Sequence, residues 1–122
     1  MSAQARLIAL IAAILCLSAV ILGAMGSHAI EMQGLQDVWE TGSDIHLFNA
    51  AALVGTAALI NMTDSRPLYW AAWLIILGTV MFSGSIYQHV ITGYKVTYLA
   101  PAGGFTMMAG WLLAAFSMLR KP

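Results

Sequence analysis

Three histidines and a run of carboxylates are the residues of this chain best suited to chemistry. The histidines are His28, His46 and His89, and four of the five acidic residues lie between the first two. Imidazole and carboxylate groups together can bind Zn²⁺ or Cu²⁺, or can relay protons. There is no HxxH or HExxH pair, so a metal site would have to collect ligands from several elements. The candidate metal ligands are His28, His46, His89, Glu40 and Asp44, and the sequence identifies no particular metal or cofactor.

The second histidine shares a helical face with an asparagine rather than with the carboxylates. In a helix, Asp37, Glu40 and Asp44 fall within one narrow face. His46 and Asn49 lie on a different face. The segment therefore does not assemble a histidine–carboxylate site alone. The competing hypothesis is that the histidines are structural, hydrogen-bonded groups at a membrane interface.

A polar stripe follows the third apolar segment. Ser85, Gln88, His89 and Thr92 are spaced i, i+3, i+4 and i+7, so they share one helical face, and Ser83 stands just before them. Polar groups in a membrane helix normally face the bundle interior. The stripe predicts either hydrogen bonds between helices or a small polar cavity open to the outer side. The candidates for ligand contact or proton handling are His28, His46, Asn49, Ser83, Ser85, Gln88 and His89.

The amino-acid composition indicates the environment that surrounds these side chains. The chain has 122 residues, of which 61% are hydrophobic and 8% are charged, whereas soluble domains carry about 25% charged residues. This excludes an ordinary soluble domain. Five basic and five acidic residues balance, which excludes an electrostatic nucleic-acid binder. One cysteine excludes a disulfide framework.

The charged residues divide the chain into four apolar stretches of 19 to 28 uncharged residues. About 20 apolar residues in a helix cross the hydrocarbon core of a bilayer. We therefore predict an all-α membrane protein, a four-transmembrane-helix bundle that forms one integral membrane domain over residues 1–122. The predicted helices lie near residues 7–26, 45–62, 68–91 and 99–119, and an acidic outer connection covers residues 29–44.

Basic residues predict the orientation of the bundle. With four spans, Arg6, Arg66, Arg120 and Lys121 fall on one side of the membrane, and only Lys95 falls on the other. The positive-inside rule then places both termini in the cytoplasm. All three histidines fall at the outer interface in this topology.

Small residues at four-residue spacing predict where helices pack closely. Such rows let membrane helices approach until dispersion and weak hydrogen bonds hold them together. They serve either packing inside the bundle or docking of a partner. The residues that we assign to packing are Ala9, Ala13, Ala19, Gly23, Ala51, Gly55, Gly103 and Gly104.

Four sequence blocks, taken together, resemble a known family. The chain is similar to the YgdD/YwdK-like small inner-membrane proteins of bacteria (domain of unknown function 423), a family similar to eukaryotic transmembrane protein 256. The resemblance implies a four-helix protein of the bacterial inner membrane and brings no established activity, substrate or cofactor. The blocks are GAMGSH at 23–28, WETG at 39–42 with HLFNA at 46–50, FSGSIY at 82–87, and PAGG at 101–104 with AGW at 109–111.

Three functions from different classes fit these observations. The first is a non-catalytic membrane protein that acts as an accessory or assembly subunit of a larger membrane complex. The second is a small transporter or channel for an ion, proton or polar solute. The third is a metal- or quinone-linked enzyme at the outer face. The expected partners are the lipid bilayer and other membrane subunits or a second copy, and no nucleic acid.

The topology can be tested with reporters fused to the C-terminus. A fluorescent protein that matures only in the cytoplasm should be bright, and alkaline phosphatase at the same site should be inactive. The same reporters placed after Lys95 should give the opposite result. Active phosphatase at the C-terminus would contradict the predicted orientation.

Overall fold

The protein folds as four α-helices, seen in a computed structural model that describes residues 1–28 and 34–119. All four are long and apolar enough to cross a membrane, and the described residues contain no strand. This confirms the predicted all-α, four-helix membrane fold. The helices are α1 (Ala3–His28), α2 (Gln36–Thr63), α3 (Arg66–Thr92) and α4 (Leu99–Leu119).

Helix α2 begins earlier than the charge pattern predicted. It starts at Gln36, inside the expected connection 29–44, and has 28 residues. At 1.5 Å per residue it is about 42 Å long, more than the roughly 30 Å of the hydrocarbon core. Its charged turns can therefore extend beyond the hydrocarbon without ending the helix. The carboxylate of Asp37 lies in the first turn, where the helix dipole favours it.

A tight turn joins α2 to α3. Asp64 adopts a left-handed conformation with φ 52° and donates its N–H to the Ile60 carbonyl, which ends α2. Ser65 caps α3 by accepting the N–H of Leu68 at 3.3 Å, and Pro67 occupies the first turn, where no N–H is needed.

Helices α2 and α3 form a central pair that α1 and α4 flank. Helix α1 packs along α2 and touches α3 only marginally, whereas α4 packs along α3. The start of α1 lies beside the end of α2, since the Ser2 N–H donates to Asn61 Oδ1 at 2.8 Å. We call this end of the bundle, which also includes the end of α4, the termini half, and the opposite end the far half.

The core of the termini half is apolar. Ile8 of α1, Leu53 and Ile60 of α2, and Ile75 of α3 are completely buried and belong to one cluster of aliphatic side chains. The opposite face of α1 exposes residues such as Leu17, as expected for a helix in contact with lipid. Dispersion between closely packed aliphatic groups therefore holds this half together.

Helices α3 and α4 meet through glycines. A Cβ placed on Gly103 would lie 2.5 Å from the Phe82 backbone nitrogen, and one on Gly78 would lie 2.6 Å from the Met107 nitrogen. A Cβ on Gly110 would be 3.0 Å from the nitrogen of Ile75. No side chain fits at these distances, so the glycines allow the two backbones to touch.

The remaining small residues divide by which way they face. Ala19 is buried, and Ala9 packs against the apolar cluster at partial burial. The other residues that we assigned to packing do not pack against another helix of this chain. The contact face of a packed helix follows alternating steps of three and four residues, so a row of residues spaced four apart turns away from that face. Ala13, Ala51 and Gly55 are exposed, and a Cβ on Gly23, Gly55 or Gly104 would meet nothing within 4 Å.

Replacing Gly103 with alanine should destabilise the bundle by roughly 1–3 kcal/mol, because the added methyl group overpacks the α3–α4 contact. The adjacent Gly104→Ala is the matched control and should be neutral or slightly stabilising, since alanine favours helix by about 1 kcal/mol over glycine. Unfolding free energy in mixed micelles measures both. Equal effects at the two positions would contradict the assigned contact.

Candidate functional site

His46 lies inside the bundle and connects three helices. It is ten residues into α2, about 15 Å from the start of that helix, and it follows the exposed Asp44 by two residues. Its side chain is 5% exposed. The Nε2 atom lies 3.1 Å from Ser18 Oγ of α1, and the Nδ1 atom lies 2.9 Å from Tyr87 Oη of α3.

The hydrogen bonds around His46 select one tautomer. Ser18 Oγ has a single proton, and when it donates that proton to the Leu15 carbonyl at 3.0 Å, it accepts the His46 Nε2–H. Nδ1 then accepts the Tyr87 hydroxyl proton. In this arrangement the imidazole is neutral and both of its nitrogens are hydrogen-bonded. Each proton along the hydrogen-bonded series from Tyr87 through His46 and Ser18 to Leu15 has an acceptor.

Trp39 and Ser83 connect the N-terminal part of α2 to helices α1 and α3. The Trp39 Nε1–H donates to the Leu22 carbonyl of α1 at 2.9 Å, and its ring centroid lies 4.8 Å from that of Tyr87. Ser83 of α3 donates its hydroxyl proton to the Gly42 carbonyl at 2.7 Å. A Cβ on Gly42 would come within 2.8 Å of a neighbouring isoleucine methyl group, so glycine allows this close approach.

Asn49 connects α2 to α4. Its Nδ2–H donates to the sulfur of Met107 at 2.9 Å, and its Oδ1 accepts the Nε1–H of Trp111 at 2.9 Å. Asn49 is 2% exposed. Both ends of a buried amide are therefore bonded to a helix with which α2 has little other contact.

These contacts lie along one face of α2, which we call the α2 seam. Its buried residues follow each other at steps of three and four, the spacing of a heptad contact face. The first four positions carry the hydrogen bonds of the far half, and the later ones pack in the apolar termini half. The α2 seam consists of Trp39, Gly42, His46, Asn49, Leu53, Thr56 and Ile60.

The polar stripe on α3 does not form one cavity. Ser83 faces α2, whereas Ser85 donates to the Phe82 carbonyl of its own helix. Gln88 donates from Nε2 to Thr92 in the next turn. The Gln88 Oε1 and His89 Nδ1 atoms are buried and have no partner among the described residues.

The candidate metal ligands whose side chains the structure describes, within residues 1–27 and 34–119, do not come together. No group of three or more histidine, cysteine or acidic side chains in these ranges could hold a metal ion. Glu40 and Asp44 are exposed on α2, away from the buried His46. His28 is the last residue of α1, and its side chain lies outside the described part of the chain.

Comparison with known proteins assigns the family. The family described as "Protein of unknown function (DUF423)" matches residues 22–104. The chain belongs to the DUF423 family. The matched residues include Trp39, His46, Asn49, Ser83 and Tyr87 of the hydrogen-bonded network.

Two relatives of this DUF423 member are aligned over most of their length. It is 30% identical to a UPF0382 membrane protein of Staphylococcus haemolyticus, over 94% of this chain and 97% of that protein. It is 32% identical to the UPF0382 inner membrane protein YgdD of Escherichia coli strain K12, over 83% and 80%. No solved structure matches. These relatives and the four apolar helices confirm the predicted multi-pass protein of the bacterial inner membrane.

A double-mutant cycle tests the link between α2 and α3 in this DUF423 protein. His46→Ala and Tyr87→Phe should each destabilise it, because each leaves a buried polar group without a partner. Their coupling should be about 0.5–2 kcal/mol in unfolding free energy. Ser85→Ala with Tyr87→Phe is the control pair and should be additive, since Ser85 bonds to its own helix. Zero coupling between His46 and Tyr87 would contradict the hydrogen bond.

Proposed function

We propose that this protein is a non-catalytic accessory or assembly subunit that docks against another membrane protein in the plane of the bilayer, with both termini in the cytoplasm. The observation that carries the proposal is the exposed small-residue surface on α2. Ala51 and Gly55 lie one turn apart on it, and both are exposed. A Cβ on Gly55 would meet nothing within 4 Å.

Gly55 differs from the glycines that the fold itself needs. Gly42, Gly78, Gly103 and Gly110 each allow a neighbouring helix to approach, and Gly55 has no such neighbour in this chain. A glycine within a helix costs about 1 kcal/mol relative to alanine. Its use in membrane proteins is to allow the backbone of a second helix to come close. This supports an intermolecular contact at Gly55.

A groove beside this surface would increase the contact. An apolar groove of about 250 Å³ lies between α2 and α4 in the termini half. Thr56 and Leu59 lie on its α2 side, and Trp111, Ala115 and Met118 lie on its α4 side. A partner helix packed on Gly55 would have side chains within reach of this groove.

The interior gives less support to a transporter or an enzyme. Ile8, Leu53 and Ile60 fill the termini half without exposure, so the polar groups of the far half do not continue across the bundle there. The imidazole of His46 is hydrogen-bonded at both nitrogens to side chains of this chain, so a substrate would have to displace one of them to reach it. These observations favour the external surface as the functional part of the molecule.

The proposal is tested by purifying a tagged full-length copy from native membranes after mild solubilisation. Quantitative mass spectrometry should find a partner membrane protein at fixed stoichiometry. Gly55→Leu should reduce the recovered partner about tenfold or more, because a bulky side chain prevents close helix approach. Gly84→Leu, at another open glycine, should not reduce it.

Two results would contradict the proposal. One is recovery of the wild-type protein alone or only as a homo-oligomer. The other is an equal loss of partner in Gly55→Leu and Gly84→Leu, which would show that the α2 surface has no special role. Circular dichroism of both purified variants provides the control for folding.

A further inference from the structure

A polar pocket lies between the last turns of α1 and the first turns of α2, at the end of the far half. It has a volume of about 180 Å³, and its wall is more polar than apolar. The apolar stretch of α1 ends here, and the carboxylates of α2 begin here. Because charged side chains are costly inside the hydrocarbon, this pocket lies where the bilayer meets water.

The α1 side of the pocket provides the space. It consists of Gly23, Gly26 and Ser27, and a Cβ on Gly23 would meet nothing within 4 Å. Trp39 of α2 also lines the pocket, and its Nε1–H donates to the Leu22 carbonyl at 2.9 Å. The volume is well below the roughly 300–1,000 Å³ of sites for drug-sized ligands. The pocket therefore suits a group of a few heavy atoms.

The polar wall of the pocket consists mainly of hydrogen-bond acceptors that solvent can reach. Gln36 and Glu40 are exposed, and Ser43 is half-buried. The Ser43 hydroxyl donates to the Glu40 carbonyl at 3.2 Å, and the Ser27 hydroxyl donates to the Gly23 carbonyl at 3.4 Å. Both hydroxyl oxygens keep lone pairs and have no proton left to donate, and a carboxylate only accepts. A ligand that donates several hydrogen bonds fits this wall.

The charge of the pocket is negative. Glu40 lines it, and Asp37 lies one turn earlier on the same helix. None of the described residues that line the pocket is basic. Arg6 and Arg66 belong to the first turns of their helices in the termini half, and Lys95, after α3, does not line the pocket. A cation is therefore favoured over an anion.

We propose that this pocket binds a primary ammonium group, supplied at the bilayer surface either by the ethanolamine headgroup of a phospholipid or by a free amine. An ammonium group has one positive charge and three N–H donors, and it donates here to the Glu40 carboxylate and to neighbouring oxygens. A quaternary ammonium group has no N–H and is typically held by a cage of aromatic rings, whereas Trp39 supplies a single ring. The pocket is separate from the Gly55 surface, so the proposal does not depend on the docking function.

The first test uses the full-length protein in nanodiscs of equal amounts of dioleoylphosphatidylethanolamine and dioleoylphosphatidylcholine. The two lipids share their acyl chains and phosphate and differ in the ammonium group. Native mass spectrometry after release from the nanodisc should find one phosphatidylethanolamine per chain. It should be retained about three- to tenfold more than phosphatidylcholine, because it alone donates hydrogen bonds from nitrogen.

Two pairs of variants locate the site. Glu40→Gln removes the charge and should lower the retention of phosphatidylethanolamine about two- to fivefold, the range for an ion pair at an exposed position. Asp37→Asn makes the same charge change outside the pocket and should leave retention unchanged. Gly23→Leu fills the pocket and should lower retention about tenfold or more, whereas Gly55→Leu should leave it unchanged.

A second arm separates the two sources of the ammonium group. Nitrogen-15 ethanolamine is added to the protein in nanodiscs of phosphatidylcholine alone, and NMR line broadening measures its binding. A preference for phosphatidylethanolamine that Glu40→Gln weakens assigns the site to the lipid headgroup. Binding of free ethanolamine that Glu40→Gln weakens, without a lipid preference, assigns the site to a soluble amine.

Two results would overturn the proposal. One is equal retention of the two lipids by the wild-type protein together with no binding of ethanolamine, a comparison that needs no variant. The other is an equal effect of Glu40→Gln and Asp37→Asn, which would show that only the overall charge of this end of the bundle attracts the cation.

Discussion

Water cannot satisfy a polar side chain inside the hydrocarbon, and the far half of this bundle is organised around that constraint. His46 is bonded to Ser18 of α1 and Tyr87 of α3. Asn49, one turn further along α2, is bonded to Met107 and Trp111 of α4. The polar positions of the α2 seam therefore bring the other three helices to one face. One side-chain hydrogen bond between membrane helices contributes about 0.6 kcal/mol of stability on average. These hydrogen bonds therefore fix the register of the helices more than they add stability.

The termini half is held together differently, and the contrast separates structure from function. Its core is aliphatic, and α3 and α4 touch there at Gly110, while Gly78 and Gly103 continue the contact through the middle of the bundle into the far half. These contacts use the inner faces of the helices. The docking function that we propose uses the outside of the molecule, at the α2 surface around Gly55.

The fold could be predicted from the spacing of charges, because lipid permits only helices of a certain length between them. The burial of His46 inside the bundle could not, since the charge pattern began the helix after Asp44 although α2 starts at Gln36. The steps of three and four from Trp39 to Asn49 were present in the sequence and are the signal that could have identified the α2 seam. The sequence could not show which of the adjacent residues Gly103 and Gly104 contacts a neighbouring helix, because only the rotation of α4 about its axis decides this.

The central claim is that a neutral His46 holds α1 and α3 to α2 through its two ring nitrogens. Nitrogen-15 NMR of histidine-labelled protein in lipid bilayers tests it directly, with His46→Ala used to assign the signals. We expect a protonated Nε2 and an unprotonated Nδ1 in His46, and a shift of the Nδ1 signal in Tyr87→Phe. A proton on Nδ1, or an Nδ1 signal that does not respond to the loss of the Tyr87 hydroxyl, would contradict the claim.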